Sequence, residues 1–285
     1  MPVISLIASP GHLDPALVSS LQGAFGATGD ALWLSPNEAA EFPVDTRPAN
    51  FADVRETLSD QRIDLNCLPS SGRRKSLLIA DMDMTMIQQE CIDELAAVAG
   101  VGDRVAAITV RAMNGEIDFE DAVAERVGLM KDLSVDVIEE VLSTRITLAP
   151  GGETLVRTMK KHGAHTALVS GCFTQFADRV GQMLGFDETH ANTLLADAGR
   201  LTGDVARPIL GRDAKVEVLT RLSPDTSQAI AIGDGANDLG MIERAGMGVA
   251  VHAKKIVAEA APYAINHGDL TACLFLQGYS VADFA

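Results

Sequence analysis

The chain has 285 residues, 47% of them hydrophobic and 22% charged, proportions that suit folded globular domains and exclude disordered and fibrous classes. Its 39 acidic and 23 basic residues give a formal charge of −16, which disfavours nucleic acid as a partner and makes any cation beside a motif informative. Four scattered cysteines, Cys67, Cys91, Cys172 and Cys273, make no CxxC or Cys/His pairing and read as reduced cytoplasmic thiols rather than zinc ligands or disulfides.

The N-terminal MPVISLIASPGHLD opens on an apolar run, Val3 to Ala8, but has no basic leader and meets Pro10 and Gly11 too soon for a signal peptide. An amphipathic stretch from Pro15 to Phe25 follows. Apolar Ala31 to Leu34, a short run from Glu38 to Phe42, a helical stretch from Phe51 to Leu58 and apolar Ile63 to Leu68 complete a β-α-β-β-α-β order. That order suits a small ferredoxin-like sheet. The polar, basic stretch Ser70 to Ser76 then predicts a domain boundary near residue 72, giving an N-terminal α+β domain over 1–72.

Beyond it, apolar runs at Leu77–Ala80, His165–Ser170, Ala229–Gly233, Met247–Val251 and Tyr263–Ile265 alternate with helical patterns. They predict an α/β core over 73–285 built on a Rossmann-like parallel sheet, whose chemistry belongs at strand C-terminal ends. Between the first two runs, helical patterns at Cys91–Ala99, Asp103–Met113, Asp118–Met130 and Ser134–Ser143 predict a helical cap inserted at about 88–148. Alternation from Asn192 to Leu210 around Gly199 and Gly203 predicts a hairpin at the sheet edge. No apolar stretch approaches the ~20 residues that span a bilayer, so no membrane association is expected.

Two of these strands end in carboxylates. Leu77 to Ala80 runs into Asp81 and Asp83, which at i and i+2 share a face and converge at a cost that a cation or a proton must offset. Ile230 to Gly233 runs into Asp234, Asn237 and Asp238, with glycines that permit a tight turn. Either segment alone also reads as a solvated turn. Two adjacent parallel strands ending this way make an oxygen-rich, thiolate-free cluster that suits Mg²⁺. Ser170 and Gly171 follow another strand, where a hydroxyl and free N–H groups can cradle phosphate, or where Ser170 is simply a helix cap. Lys215, the only lysine between Lys161 and Lys254, is either a surface lysine or the cation such a site needs.

DMDMT, VSGCF, the downstream Lys215 and GDGAND, in that order, resemble the four motifs of the haloacid dehalogenase superfamily of phosphohydrolases over residues 77 to about 270. The finer pattern is similar to its phosphoserine phosphatase family. The resemblance implies that Asp81 attacks phosphorus to form an aspartyl phosphate and that Asp83 is general acid and then base. It implies that Asp81, the Asp83 carbonyl and Asp234 hold Mg²⁺, with Asp238 in or just outside that shell, and that Asn237 orients its neighbours. Ser170, Gly171 and Lys215 would bind the phosphoryl group. Glu90 and Arg126 would take the ammonium and carboxylate of phosphoserine, between Met113 and Phe119 as apolar lining. The chain departs from the family at Met84, where a small serine is usual, and at Cys172, where glycine is common.

The N-terminal domain resembles ACT-type regulatory domains, and its segment PGHL resembles their ligand loop. A regulatory amino-acid site and a plain homodimerisation or packing role are both compatible with that resemblance. For the whole chain, the alternatives are a phosphatase or phosphotransferase acting on another small phosphometabolite, or a metabolite-binding regulator whose catalytic site has decayed.

Overall fold

The computed structural model describes residues 1–114 and 116–285, with every side chain among them except that of Met113. The chain begins with β1 (Pro2–Ile7), α1 (Pro15–Phe25), β2 (Leu32–Ser35), β3 (Ala39–Pro43), α2 (Phe51–Asp60) and β4 (Asp64–Pro69). Asp14 caps α1 by accepting from the Ala16 N–H at 2.8 Å, Pro15 fits the first turn, and Gly26 closes the helix at φ 64°. The four strands form an antiparallel sheet in the order β2-β3-β1-β4, the ferredoxin-like arrangement expected from the sequence.

Alternation in β1 sends Ile4 and Leu6 into a core with Leu21, Phe25 and Phe51 from the two helices, while Ile7 packs into the main core of the molecule. The same alternation in β4 turns Asp64 and Asn66 toward the catalytic sheet. Asn66 bonds both backbone groups of Ala264, and the Asp64 carboxylate accepts from the N–H groups of Asn266, His267 and Gly268 at 2.8, 3.0 and 2.9 Å. Glu41 of β3 pairs with Arg73 through two bonds of 2.7 and 2.8 Å.

The chain continues through β5 (Leu77–Ala80), α3 (Cys91–Val98), α4 (Gly102–Met113), α5 (Phe119–Gly128), α6 (Asp136–Thr144) and α7 (Gly152–Lys161). Then come β6 (His165–Phe173), α8 (Thr174–Leu184), β7 (Glu188–Asn192), β8 (Leu194–Asp197), β9 (Arg200–Val205) and α9 (Arg212–Leu222). The last elements are β10 (Ala229–Gly233), α10 (Leu239–Arg244), β11 (Met247–Val251), α11 (Lys255–Ala260), β12 (Tyr263–Ile265) and α12 (Ala272–Leu276).

Six strands form a parallel sheet ordered β12-β11-β10-β5-β6-β7. Strands β5 and β10 are apolar throughout because both faces are covered: Leu78, Ile230 and Ile232 enter one core, Leu77, Ile79 and Ala231 the other. From β5 the chain winds outward through β6 and β7 and then restarts on the other side with β10. The strand order therefore reverses between β5 and β10, where an open α/β sheet leaves a crevice.

Helices α3 to α6 are the expected insertion. Its two chain passages pair at Ile87 and Leu148, and Val123, Val127 and Val141 join the same apolar core as Leu78. The hairpin β8-β9 is present but forms its own two-stranded sheet, and α5 and Ser134 of the cap lie against it through β9. The true sheet edge is β7, whose sequence ETHAN lacks the apolar alternation that marks a strand.

Candidate active site

The backbone N–H of Asp81 donates to the Ile232 carbonyl at 3.0 Å, so the β5–β10 pairing extends one residue and fixes Asp81 beside the end of β10. The chain then curls: the N–H groups of Met86 and Ile87 both donate to the Met82 carbonyl, and Met84 takes a φ of 55° with its side chain exposed. This turn aims Asp83 inward. Its Oδ1 accepts from the Cys91 N–H at 2.9 Å and its Oδ2 from the Ser170 hydroxyl at 3.2 Å. Ser170 Oγ in turn accepts from the Cys172 N–H at 2.9 Å, so the hydroxyl acts as a relay between the β6 end and Asp83.

Lys215, near the start of α9, is buried with Nζ 2.6 Å from both Asp81 Oδ1 and Asp238 Oδ1. The other oxygen of Asp238 accepts from the Gly235 N–H at 3.0 Å. Thr85 donates to Asp234 at 3.2 Å. Two glycines of GDGAND answer a need for space: a Cβ on Gly233 would lie 2.4 Å from Asp238 Cγ, and one on Gly235 would lie 2.2 Å from Asn237 Oδ1.

Burial raises the Asp81 carboxyl well above its ordinary range, while the Lys215 ammonium pulls it down and the Asp238 charge pushes it up again. Burial alone would lower the Lys215 pKa, but the two carboxylates reverse that and leave it raised. Two carboxylates thus share one ammonium. Asp234 is pushed up to about 6, chiefly by burial and next by Asp238. Carboxylate oxygens of Asp81, Asp234 and Asp238 lie within 4.8 Å of one another. An all-oxygen cluster short of positive charge fits a hard divalent cation.

A cavity of about 400 Å³ opens beside Asp81 and Asp83, between the strand ends and the cap. Asp234 and Asn237 line its floor, and Gly171 its core wall. From the cap come Glu90, Phe119 and Arg126, so the catalytic candidates and the specificity candidates face one space. Ser170, Lys215 and Asp238 stand behind this lining as partners of Asp83 and Asp81. Met113 ends α4, but its side chain lies outside the described residues.

The surface that Glu90 exposes faces the cavity, and its carboxyl is raised to about 7 by burial, then by the charges of Asp83 and Asp234. Arg126 is half-buried, with Nε donating to the Ala122 carbonyl at 3.1 Å. Phe119 reaches from the cap to within van der Waals distance of Gly171 and Gly211 of the core, at 3.4 Å from the Cβ position of each.

Some contributors are not apparent in the motifs. Asn192 is buried at the end of β7, donates to the Gly171 carbonyl at 2.8 Å and the Leu210 carbonyl at 3.2 Å, and accepts from the Leu210 N–H at 2.6 Å. It ties the wall after β6 to the loop that leads to Lys215. Lys254 also lines the cavity, an exposed cation from the far side of the sheet. A single asparagine in a polar strand gives no local signal of either bond.

The haloacid dehalogenase-like hydrolase family matches residues 78–243, more than half of the chain and all of the strand ends just described. The chain belongs to that family. Among relatives, it is 41% identical to the phosphoserine phosphatase of Archaeoglobus fulgidus over 81% of this chain and 70% of that one. It is 41% identical to the phosphoserine phosphatase of Streptomyces coelicolor, over 85% of this chain but only 61% of that longer protein. The crystal structure of a probable phosphoserine phosphatase from Vibrio cholerae superposes with a TM-score of 0.82 at 30% identity, over 99% of this chain and 88% of the other. The likeness to the Vibrio protein therefore includes the N-terminal sheet, while the hydrolase family match begins in β5. Among the described residues no helix is long and apolar enough to cross a membrane.

Proposed function

We propose that this chain is a magnesium-dependent phosphoserine phosphatase that works through a phosphorylated Asp81. The carrying observation is that Asp81 and Asp83 share one cavity with Glu90 and Arg126, so phosphate chemistry and amino-acid recognition meet across a single substrate-sized space. The named relatives support the substrate.

Asp81 is the nucleophile: its carboxylate attacks phosphorus, the bond to the serine oxygen breaks, and an aspartyl phosphate forms. Asp83 delivers its proton to the departing oxygen, which needs a carboxyl that is protonated at that moment. Burial raises Asp83, against the opposing bonds from Cys91 and Ser170, in the required direction. Asp83 then accepts a proton from the water that attacks the phosphoenzyme, and phosphate leaves with Asp81 restored. Ser170 and the backbone of Gly171 hold phosphoryl oxygens, while Lys215 opposes the effect of burial on Asp81 and adds positive charge beside it. Asp81, Asp234 and the carbonyl of Asp83 would hold Mg²⁺, which when bound neutralises phosphoryl oxygens and makes attack by an anionic carboxylate feasible. Asp238 has both oxygens engaged by Lys215 and Gly235 and acts from just outside that shell.

In this reading residues 1–72 are an ACT-like domain, residues 73–285 the catalytic domain, and about 88–148 its cap. The N-terminal domain serves homodimerisation or packing, or binds a regulatory amino acid. The compartment is the cytoplasm, in keeping with four free cysteines and the absence of a membrane-crossing helix among the described residues. Phosphate release from phosphoserine tests the proposal: turnover should require Mg²⁺, vanish in EDTA and return on adding the ion. Full activity in chelator would refute the metal assignment, and no hydrolysis with Mg²⁺ present would leave a regulator as the better reading.

A further inference from the structure

Two cysteines flank the Asp83 carboxylate, one from the inserted helices and one from the end of β6. Cys91 begins the first cap helix and is fully buried, while Cys172 lies at the end of β6 and lines the cavity wall. Their sulfurs and an oxygen of Asp83 lie within 4.8 Å of one another. The backbone holds this grouping in place: the Cys91 N–H binds Asp83 Oδ1 directly, and the Cys172 N–H binds Ser170 Oγ, which binds Asp83 Oδ2. Neither thiol is given a chemical step in the phosphatase reaction above.

We infer that Cys91, Cys172 and Asp83 form a second cation site, selective for a thiophilic dication such as Zn²⁺, whose occupation blocks the acid/base carboxylate and fastens the cap to the core. A tetrahedral zinc ion with bonds of ~2.3 Å to sulfur and ~2.0–2.2 Å to oxygen needs its donors just under ~4 Å apart. The three atoms lie no more than 4.8 Å apart, and two of them are sulfurs placed by a single rotatable bond, Cα–Cβ. Three protein ligands leave a fourth position for water or substrate oxygen from the cavity. Sulfur donors discriminate against Mg²⁺, so the site ignores the ion that the neighbouring all-oxygen cluster favours. Each thiol loses its proton as its sulfur binds, so one dication displaces two protons, and Asp83 contributes as a carboxylate. An oxygen committed to zinc can no longer exchange a proton with the leaving group or the water.

Binding does not depend on the phosphatase reading, whereas inhibition rests on it, so the two are read separately. The full chain, kept reduced with a non-chelating phosphine and supplied with Mg²⁺, is titrated with Cd²⁺ while thiolate-to-cadmium absorption in the ultraviolet is followed. One Cd²⁺ per chain with the absorption of two thiolates is expected, displaced by Zn²⁺. Cys172→Ala and Cys91→Ser should each weaken this binding by at least the roughly 10–100-fold that loss of even a supporting group costs a metal site, while Cys67→Ser leaves it unchanged. In parallel, Zn²⁺ should suppress phosphoserine turnover in excess Mg²⁺, a zinc-selective chelator should restore it, and both variants should need at least about tenfold more Zn²⁺. The inference is overturned by absence of the absorption, or by its persistence in both variants. It is also overturned by inhibition that both variants retain in full, which would put zinc on the oxygen cluster, or by inhibition that only reductant reverses, which would mean a Cys91–Cys172 disulfide. Melting curves identify a variant that fails to fold, and the other variant then decides. If phosphoserine is not hydrolysed at all, the cadmium titration still decides the site.

Discussion

At the scale of single residues, the carboxyls of Asp81 and Glu90 are both raised but meet opposite demands. In the proposed mechanism Asp81 attacks as an anion, and the buried Lys215 ammonium at 2.6 Å works against the burial that raises its carboxyl. Asp81→Asn keeps the shape but loses the nucleophile and the charge that Lys215 answers. Its kcat should fall at least about a hundredfold, since removal of a covalent nucleophile costs several powers of ten, and steady-state phosphate release measures it. Glu90 has no such cation: burial and the nearby Asp83 and Asp234 charges hold its pKa at about 7. A raised carboxyl is protonated below that value, and a neutral Glu90 cannot pair with the substrate ammonium. As pH falls through about 7, kcat/KM for phosphoserine should therefore decline relative to that for phosphoglycerate, which lacks the ammonium. The ratio of the two cancels the titration of phosphate itself. In Glu90→Gln that ratio should be flat with pH, and a ratio that still bends near 7 would remove Glu90 from the ammonium site.

Among the elements, one contact between the N-terminal sheet and the six-stranded sheet is polar. Asp64 of β4 satisfies three N–H groups of the segment after β12, and Asn66 bonds both backbone groups of Ala264 in β12. Asp64→Ala leaves the buried Gly268 N–H and the part-buried Asn266 and His267 N–H groups without their acceptor, at a cost of about 1–3 kcal/mol for each one that water cannot reach. Thermal unfolding should fall by several degrees, because about 1 kcal/mol shifts a domain of this size by roughly 2–4 °C. The kcat should stay within a few-fold, because the segment is remote from the cavity. A variant that melts like the parent would show that the interface does not depend on this carboxylate. Local pattern foretold the β-α-β-β-α-β order, the apolar strands and four cap helices, because each rests on periodicity within about ten residues. It could not foretell β7, whose strand is held by pairing with β6 rather than by apolar alternation. The contacts of Asn192 and Asp64 were equally hidden, since their partners are 18 to 21 and 202 to 204 residues away. Asp81, Asp83, Ser170 and Asp234 could be read because they lie at or just after strand ends, and a strand end in a parallel sheet has a known destination; Lys215, near the start of α9, could be read only from the order of the motifs.

For the whole molecule, the site exists only when the cap sits on the core: the strand ends carry Asp81, Asp83 and Asp234, whereas Glu90, Phe119 and Arg126 come from the inserted segment and its entrance. Phe119, seated against Gly171 and Gly211, makes that closure an apolar contact and leaves the charged groups to the substrate. Phosphoserine presents three charged groups, and the proposed function gives phosphate to the core, ammonium to Glu90 and carboxylate to Arg126. Phosphoethanolamine lacks the carboxylate and phosphoglycerate lacks the ammonium, so each leaves one enclosed side chain without its partner. Truncating one member of an enclosed charge pair costs about 2–5 kcal/mol, or roughly 30-fold to several thousand-fold in kcat/KM. Arg126→Ala should narrow the gap between phosphoserine and phosphoethanolamine while leaving the gap to phosphoglycerate wide. Glu90→Gln should do the reverse. General damage to the fold lowers all three substrates together and cannot produce this crossed pattern. Wild-type hydrolysis of all three esters at rates within a few-fold of one another would remove phosphoserine as the substrate and leave only a phosphohydrolase of the family.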